Sequence, residues 1–405
     1  MTQASPIPAW LSIVGIGEDG LSGLKPAACA LVEAAEILIG GERHLAMVPP
    51  RDGQQRIAWA SPLPAHADRL TEYRGRRTCV LASGDPMWFG IGTTLSKRIP
   101  AAEMAVIPHP GAFALAAARL LWPLDATACI SLHGRPTDLL AVHLQPRQRL
   151  LVLSENGSTP AQVAAFLDQR GFGSAEITVL EHLGGARETL RHGTAGHWPH
   201  GPCADLNTIA IALQDGPGLS RLAGLADDLY LHDGNITKRE VRAVTLAKLA
   251  PMPGALLWDL GAGSGSISIE WMRSHSRNRA IAIETKDSRR AMIAQNATAL
   301  GVPDLDIRGG RVPAALDGLP QPDAIFIGGG ISAEGLVERC WAALKPGGRL
   351  VANVVTLEGE AVLVRAHREL GGELGRFGVQ RAEPVGRFHG WHAMMPVTQW
   401  SAVKE

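Results

Sequence analysis

The sequence is poor in aromatic residues, with 7 Phe and 2 Tyr in 405 positions. Its five cysteines, Cys29, Cys79, Cys129, Cys203 and Cys340, are scattered and form no CxxC pair. Neither a zinc knuckle nor a disulfide framework is therefore indicated, and free thiols in a reducing cytoplasm are expected. There is no excess of charge of either sign, since Lys plus Arg total 39 and Asp plus Glu total 39. That balance excludes a protein held on nucleic acid by a generally basic surface. No stretch approaches the ~20 apolar residues of a membrane span. Met1–Trp10 has neither a basic n-region nor a long apolar h-region, so a secretory leader is not expected. Charged residues at 19% and hydrophobic residues at 46% exclude disorder as the main state. What is abundant is glycine, 46 residues, with 27 prolines. Such a chain suits α/β folds with many tight strand–helix turns, and its length points to two or three domains.

Leu11-Ser-Ile-Val-Gly15-Ile-Gly17 is a short apolar run ending in glycines. After it Leu24, Ala27, Ala28, Leu31, Ala34 and Ala35 recur at helical spacing, with Ser22 as the expected N-cap. Further strands are predicted at Thr78–Ala82, Met104–Pro108, Arg149–Ser154, Glu176–His182 and Leu206–Leu213, and helices at Ala112–Leu120 and Pro160–Gln169. This alternation predicts a mainly parallel sheet. Gln214-Asp-Gly-Pro-Gly218 disfavours both helix and strand and reads as a linker. The second half restarts with a strand at Ala255–Leu260, a glycine turn and a helix opening at Ser266. Strands at Ala280–Glu284, Leu305–Arg308, Asp323–Ile327 and Arg349–Val355 follow, and the tail reads as a hairpin of two strands, Glu373–Glu383 and Trp391–Ala402.

The turn Gly261-Ala-Gly263-Ser-Gly265 lies between a strand and a helix, with Glu284 at the end of the next strand. Glycines there allow close backbone approach to a ligand, the helix start offers unpaired N–H groups, and the acid can accept bonds from a ribose. The constellation fits a dinucleotide or S-adenosylmethionine (SAM). The dinucleotide pattern G-x-G-x-x-G fails, because Ser266 and Ile267 follow Gly265. Leu344-Lys-Pro-Gly-Gly348-Arg-Leu-Val351 resembles the turn before the fifth strand of class I methyltransferases and favours SAM.

Thr237-Lys-Arg-Glu-Val-Arg242, Trp258-Asp-Leu-Gly-Ala-Gly-Ser-Gly-Ser-Ile267, Ile283-Glu284, Pro322-Asp-Ala-Ile-Phe-Ile-Gly-Gly-Gly330 and Val351-Ala-Asn353-Val-Val-Thr-Leu-Glu358 occur in one order. Together they resemble the SAM-dependent methyltransferase and decarboxylase domain of cobalamin (vitamin B12) biosynthesis. In the first half, Gly15-Ile-Gly17, Leu81-Ala-Ser-Gly84-Asp85-Pro86, Val106-Ile-Pro-His-Pro-Gly111, Ser131-Leu-His-Gly-Arg135 and Glu181-His-Leu-Gly184-Gly185 resemble the tetrapyrrole methylases, a different SAM fold. His109-Pro110-Gly111-Ala112 stands where many relatives are Ser-rich.

The resemblance implies an α/β chain in two parts. A tetrapyrrole methylase fold of two α/β subdomains spans 1–215, followed by a linker at 216–224 and a Rossmann-like class I domain at 225–405. The order resembles a bifunctional, decarboxylating family of corrin-precursor methyltransferases. It implies methylation of carbon 5 by the first half, and of carbon 15 with loss of carbon dioxide from the ring C acetate at carbon 12 by the second. SAM is implied as methyl donor, one site per domain, with a tetrapyrrole substrate, no nucleic acid, no membrane, no metal and a homo-oligomer. Cofactor contacts are implied at Gly84, Asp85, Thr237, Gly261, Ala262, Gly263, Ser264, Gly265, Glu284 and Val312. Substrate contacts are expected at Gly15, Gly17, Arg239, Arg242 and Asn353. Asp85 also reads as a turn residue alone. Lys238, Arg239, Arg242, Arg308 and Arg311 read either as substrate-facing or as a solvated cluster, and Asn353 as either orienting substrate or capping a loop. His109, His133, His389 and His392 read as loop residues. Methyl transfer from a sulfonium needs alignment more than acid–base chemistry, so no catalytic residue is assigned. A nicotinamide-dependent oxidoreductase and a tetrapyrrole carrier without turnover are the competing classes; copurified cofactor and labelled-SAM turnover separate them.

Overall fold

The structure, a computed structural model, describes residues 9–59 and 68–405; most of the Met1–Trp10 segment lies outside the described residues. The chain divides into two compact units. One takes in residues up to 137 together with 145–217, and the other takes in 138–144 and 218–405.

In the first unit, strands β1 (Leu11–Ile16), β2 (Ile37–Gly40), β3 (Gln55–Ala58), β4 (Thr78–Ser83) and β5 (Met104–Ile107) form a parallel sheet in the order β3-β2-β4-β1-β5. β1, β2 and β4 are nearly continuous apolar runs because both faces are covered. Leu11, Ile13, Ile37, Ile39 and Val80 pack on one side, and Val14, Ile16, Leu38, Cys79 and Leu81 on the other. Helices α1 (Pro26–Ala34), α2 (Glu42–Ala46), α3 (Ile91–Leu95) and α4 (Ala112–Leu120) link or follow these strands. Ser22 does not cap α1. It sits in a 3-10 turn, Gly20–Gly23, where its hydroxyl donates to the Asp19 carbonyl at 2.6 Å, and α1 begins instead with Pro26 in its first turn.

A second sheet follows, of β6 (Thr127–Ser131), β7 (Arg149–Leu153), β8 (Glu176–Glu181), β9 (Thr189–Thr194) and β10 (Asn207–Ala212), in the order β6-β7-β10-β8-β9. Helix α5 (Thr159–Gln169) follows β7. Only β6–β7 is parallel here; β7–β10, β10–β8 and β8–β9 are antiparallel. The expectation of mainly parallel pairing is thus corrected for this sheet. A hairpin, β8–β9, replaces a helical crossover, and β10 returns between its neighbours.

The second unit carries α6 (Arg239–Leu249), β11 (Leu256–Leu260), α7 (Ser266–Ser274), β12 (Arg279–Ile283), α8 (Asp287–Ala299), β13 (Asp306–Arg308), β14 (Ala324–Ile327), α9 (Leu336–Ala343), β15 (Arg349–Val354) and α10 (Leu357–Leu370). The tail is four strands rather than two: β16 (Glu373–Phe377), β17 (Gln380–Val385), β18 (Phe388–Ala393) and β19 (Val397–Val403). β16 and β19 join the main sheet, while β17 and β18 pair only with each other. The sheet order β13-β12-β11-β14-β15-β19-β16 reverses direction between β11 and β14. Ligands of open α/β sheets bind outside the strand ends at such a switch point, and the Gly261–Gly265 turn leaves β11 there. Trp258, Leu260, Ile281, Ile283, Ile325 and Ile327 fill one face of the sheet; Leu257, Ala282, Phe326 and Trp271 fill the other. α10 shows the local logic plainly. Thr356 caps it by accepting the Gly359 N–H at 3.2 Å, acids Glu358 and Glu360 lie in its first turn, and His367 and Arg368 in its last.

Candidate functional site

In the second unit the glycine turn is wrapped onto the end of β12. The N–H groups of Gly261 and Ala262 donate to the Ile283 carbonyl at 2.9 and 3.1 Å, and that of Gly263 donates to Glu284 Oε2 at 3.0 Å. Glu284 is only 4% exposed, and its Oε1 accepts from the Lys286 N–H at 3.0 Å. Gly261 has φ +72°, and a Cβ there would lie 2.7 Å from the Gly329 Cα. The 261–265 and 328–330 loops therefore meet backbone to backbone. Val312 joins them, because a Cβ on Gly330 would lie 2.9 Å from its Cγ2. Gly261, Ala262, Gly263, Ser264, Gly265, Glu284 and Val312 thus gather at one edge. The segment carrying Thr237 runs beside them: a Cβ on Gly263 would lie 3.3 Å from the Asn235 carbonyl oxygen.

The sequence reading overlooked two residues here. Asn296 donates to the carbonyls of Ser264 and Leu231, each at 2.9 Å, and accepts the Leu231 N–H at 2.8 Å, so it pins the turn to the neighbouring segment. Asp259, within β11, is fully buried. Its Oδ2 accepts from the Ser268 N–H at 3.1 Å and hydroxyl at 2.7 Å, tying the first turn of α7 to the strand. Burial pushes this carboxyl up to about 6; the Ser268 bonds oppose that, and the nearby Glu284 charge adds to it. Asp259 Oδ1 and Ser264 Oγ are buried without a partner among the described residues. An acid two residues before a glycine turn was the available signal for Asp259; nothing local marks Asn296.

Arg242 is corrected from a substrate contact to a structural residue. It is 0% exposed, and its guanidinium is spent inside the unit. Nε donates to Glu270 Oε1 at 2.6 Å, Nη1 to the Thr237 carbonyl at 2.6 Å and to Asp227 Oδ1 at 3.2 Å, and Nη2 to the Leu225 carbonyl. Arg239, by contrast, is exposed and has no ion pair among the described residues. Arg308 is held by Asp306 at 2.7 Å, while Arg311 stays exposed. Asn353 does not cap the following loop. Its amide donates to Thr245 Oγ1 at 2.9 Å and accepts from Gln399 Nε2 at 2.9 Å, within a polar network under α6.

In the first unit the ends of β4, β1 and β5 meet through glycines. A Cβ on Gly15 would lie 1.8 Å from the Gly84 carbonyl oxygen, and one on Gly84, at φ +55°, would lie 2.5 Å from the Gly111 Cα. A Cβ on Gly17 would meet His109 Nε2 at 2.8 Å. Asp85 does brace its turn, accepting the Met87 N–H at 2.8 Å, and remains half-buried. Beside this edge Glu18 accepts from Arg43 and from His182, the latter at 3.1 Å. Burial pushes the Glu18 carboxyl up, but the His182 bond and the Arg43 charge outweigh it and hold it below the ordinary range. Two edges result, one per unit, each lined by tight glycine turns and a poised carboxylate.

Residues 11–199 match the family described as tetrapyrrole (corrin/porphyrin) methylases, and residues 228–404 match a precorrin methyltransferase domain. A protein of a Sinorhizobium species named precorrin-6Y C(5,15)-methyltransferase [decarboxylating] is 48% identical over 406 residues, covering 100% of this chain and 98% of its own. Two shorter relatives come from Salmonella typhimurium. A cobalt-precorrin-7 C(5)-methyltransferase is 28% identical, covering 46% of this chain and 89% of its own. A cobalt-precorrin-6B C(15)-methyltransferase (decarboxylating) is 34% identical, covering 33% and 70%. On the strength of the full-length match, the chain belongs to the family of decarboxylating precorrin-6Y C(5,15)-methyltransferases.

Proposed function

We propose that this chain methylates precorrin-6Y at carbons 5 and 15, using SAM, and removes carbon dioxide from the ring C acetate at carbon 12. The full-length relationship to proteins of that name carries the reading. We further infer one SAM site per domain, with carbon 5 served by the first unit and carbon 15 by the second. That division is supported by relatives with single-carbon names that cover less than half of the chain each.

The residues of the second edge fit such a donor. A cation is favoured by the neighbouring acids Asp259 and Glu284, and Asp259 Oδ1 and Ser264 Oγ are buried polar atoms without a partner among the described residues. Gly261, Gly263 and Gly265 add no side chain against a close ligand, and the N-cap position of α7, Gly265, carries no side chain to cap the helix start. When bound, SAM supplies a methyl group already activated on a sulfonium. Glu284, anchored through the Gly263 and Lys286 N–H groups, is suited to orient a ribose. Arg239 and Arg311, exposed and without an ion pair among the described residues, are suited to meet acetate and propionate groups. In the first unit Gly84, Asp85 and the Gly15–Gly17 turn line the corresponding edge. The macrocycle itself supplies the nucleophilic meso carbon and takes up the electrons left by decarboxylation, so positioning and exclusion of water carry the rate.

No helix among the described residues is long and apolar enough to cross a membrane. A cytoplasmic homo-oligomer is part of the reading, supported by the exposed Val385, Phe388 and Trp391 of the β17–β18 hairpin. The test is turnover of precorrin-6Y with labelled SAM by the full chain. The expected product has gained two labelled methyl groups and lost one carbon dioxide. Binding of the tetrapyrrole with no transfer would leave a carrier, and the proposal would fail.

A further inference from the structure

Directly after the Gly84–Asp85 turn, Met87, Trp88 and Phe89 are 46%, 46% and 44% exposed. Phe89 also has φ +54°, a left-handed conformation that a bulky side chain adopts only under strain. Exposure of three consecutive large apolar side chains and a strained backbone both cost the fold, and burial offsets them only in part. The segment is nevertheless rigid. The Trp88 N–H donates to the Asp85 carbonyl at 3.2 Å, and the Gly92 N–H donates to the Pro86 carbonyl at 2.9 Å. A Cβ on Gly90 or Gly92 would lie 2.5 or 2.7 Å from the Pro86 oxygen, so the loop is folded as tightly as glycine permits. Trp88 and Phe89 both rest on the buried Phe113, with ring centroids 5.6 and 6.0 Å away. Arg135 stands over Phe89, 5.6 Å from its centroid, and its exposed guanidinium has no carboxylate partner among the described residues.

We propose that Trp88, Phe89 and Arg135 form a ledge that holds one face of the tetrapyrrole in the first unit, with Arg135 taking one of its peripheral carboxylates. The inference rests on the functional reading above. A flat conjugated ring matches the exposed aromatic surface. An unpaired cation at its rim, beside an exposed aromatic surface, matches a flat polycarboxylate, whereas SAM offers it only the single carboxylate of its methionine portion. Strain held in a rigid, exposed segment is the pattern of a preorganised binding surface.

The test uses the full chain with SAM and precorrin-6Y, reading methylation at carbon 5 and at carbon 15 separately with 13C-labelled SAM. Trp88→Ala is expected to raise KM for precorrin-6Y at carbon 5 about tenfold, leaving KM for SAM and methylation at carbon 15 unchanged. Trp88→Tyr, which keeps a flat ring, is expected to recover most of the loss. Arg135→Gln is expected to raise the same KM and to flatten its salt dependence. Phe89→Gly, which relieves the strain, is expected to weaken substrate binding without lowering Tm. A raised KM for SAM with precorrin-6Y unaffected would assign the ledge to the cofactor and overturn the proposal. Unchanged constants in all variants would overturn it too. Failure of the parent chain to turn over precorrin-6Y sinks the functional reading itself, and is distinguished by appearing without any substitution.

Discussion

Asp259 combines complete burial, a two-pronged bond to Ser268 and one orphaned oxygen. Burial pushes its carboxyl up to about 6, above its unfolded value. The folded chain therefore holds this proton more tightly than the unfolded chain does. The resulting stabilisation is complete below about pH 4 and is lost as pH rises through about 6, to the extent of about 2–3 kcal/mol. Asparagine keeps an oxygen for Ser268 and carries no charge at any pH. The Asp259→Asn variant is expected to gain stability relative to the parent as pH rises across this window, with the difference in Tm levelling off above about pH 7. A difference that does not change with pH would show that the parent carboxylate is solvated. At this same scale lies what the sequence concealed. Arg242 stands in a visibly basic run, yet its partner Glu270 is 28 positions away, and only folding brings the two to 2.6 Å. Charge clustering along a chain does not distinguish a surface patch from a buried pair. The desolvation that decides between them is a property of tertiary structure.

The elements of the fold were legible where local physics dominates. Strands β1, β4, β11 and β14 are short apolar runs ending in glycine turns, and the helix after the second turn opens at Ser266, where the pattern changes. Pairing direction was not legible. The antiparallel β8–β9 hairpin and the return of β10 between β7 and β8 depend on long-range register. In the tail, Gly386–Arg387 turns and re-pairs a segment that alternation alone left as one long hairpin. The glycines at the strand ends were read as making room for ligand, and the geometry gives Gly15 a second reason. Its missing Cβ would lie 1.8 Å from the Gly84 carbonyl oxygen, a backbone atom with no side chain to swing away. Gly15→Ala is therefore expected to force β1 from the β4 turn and to destabilise the first unit by at least about 3 kcal/mol. Gly53→Ala serves as the comparison. It has φ +76° and nothing within 4 Å of a Cβ, so it meets only the left-handed penalty of about 1–2 kcal/mol. Urea unfolding followed by hydrogen exchange in β1 and β4 separates the two. Equal losses would mean that the strand ends tolerate the added carbon.

At the scale of the whole molecule, zero net charge leaves room for a local basic site of the kind that the proposed tetrapyrrole substrate, with its carboxylates, calls for. Of the cations singled out, Arg242 is consumed by the fold and Arg308 by Asp306, whereas Arg239, Arg311 and Arg135 remain exposed. The two units have separate cores, and each carries its own glycine-lined edge. If each edge holds its own donor, the reactions must be separable by single substitutions in the intact chain. Asp85→Ala removes the side chain that braces the first turn through the Met87 N–H, and is expected to abolish methylation at carbon 5 while methylation at carbon 15 and loss of carbon dioxide continue. Glu284→Ala removes the acceptor of the Gly263 N–H, with a loss of affinity for SAM of about tenfold or more, and is expected to give the converse. Mass and 13C spectra of the products distinguish the two variants, and mixing them should restore the doubly methylated, decarboxylated product. Loss of both methylations from each of the two substitutions would mean a single shared donor site, and the division of labour between the units would then be wrong.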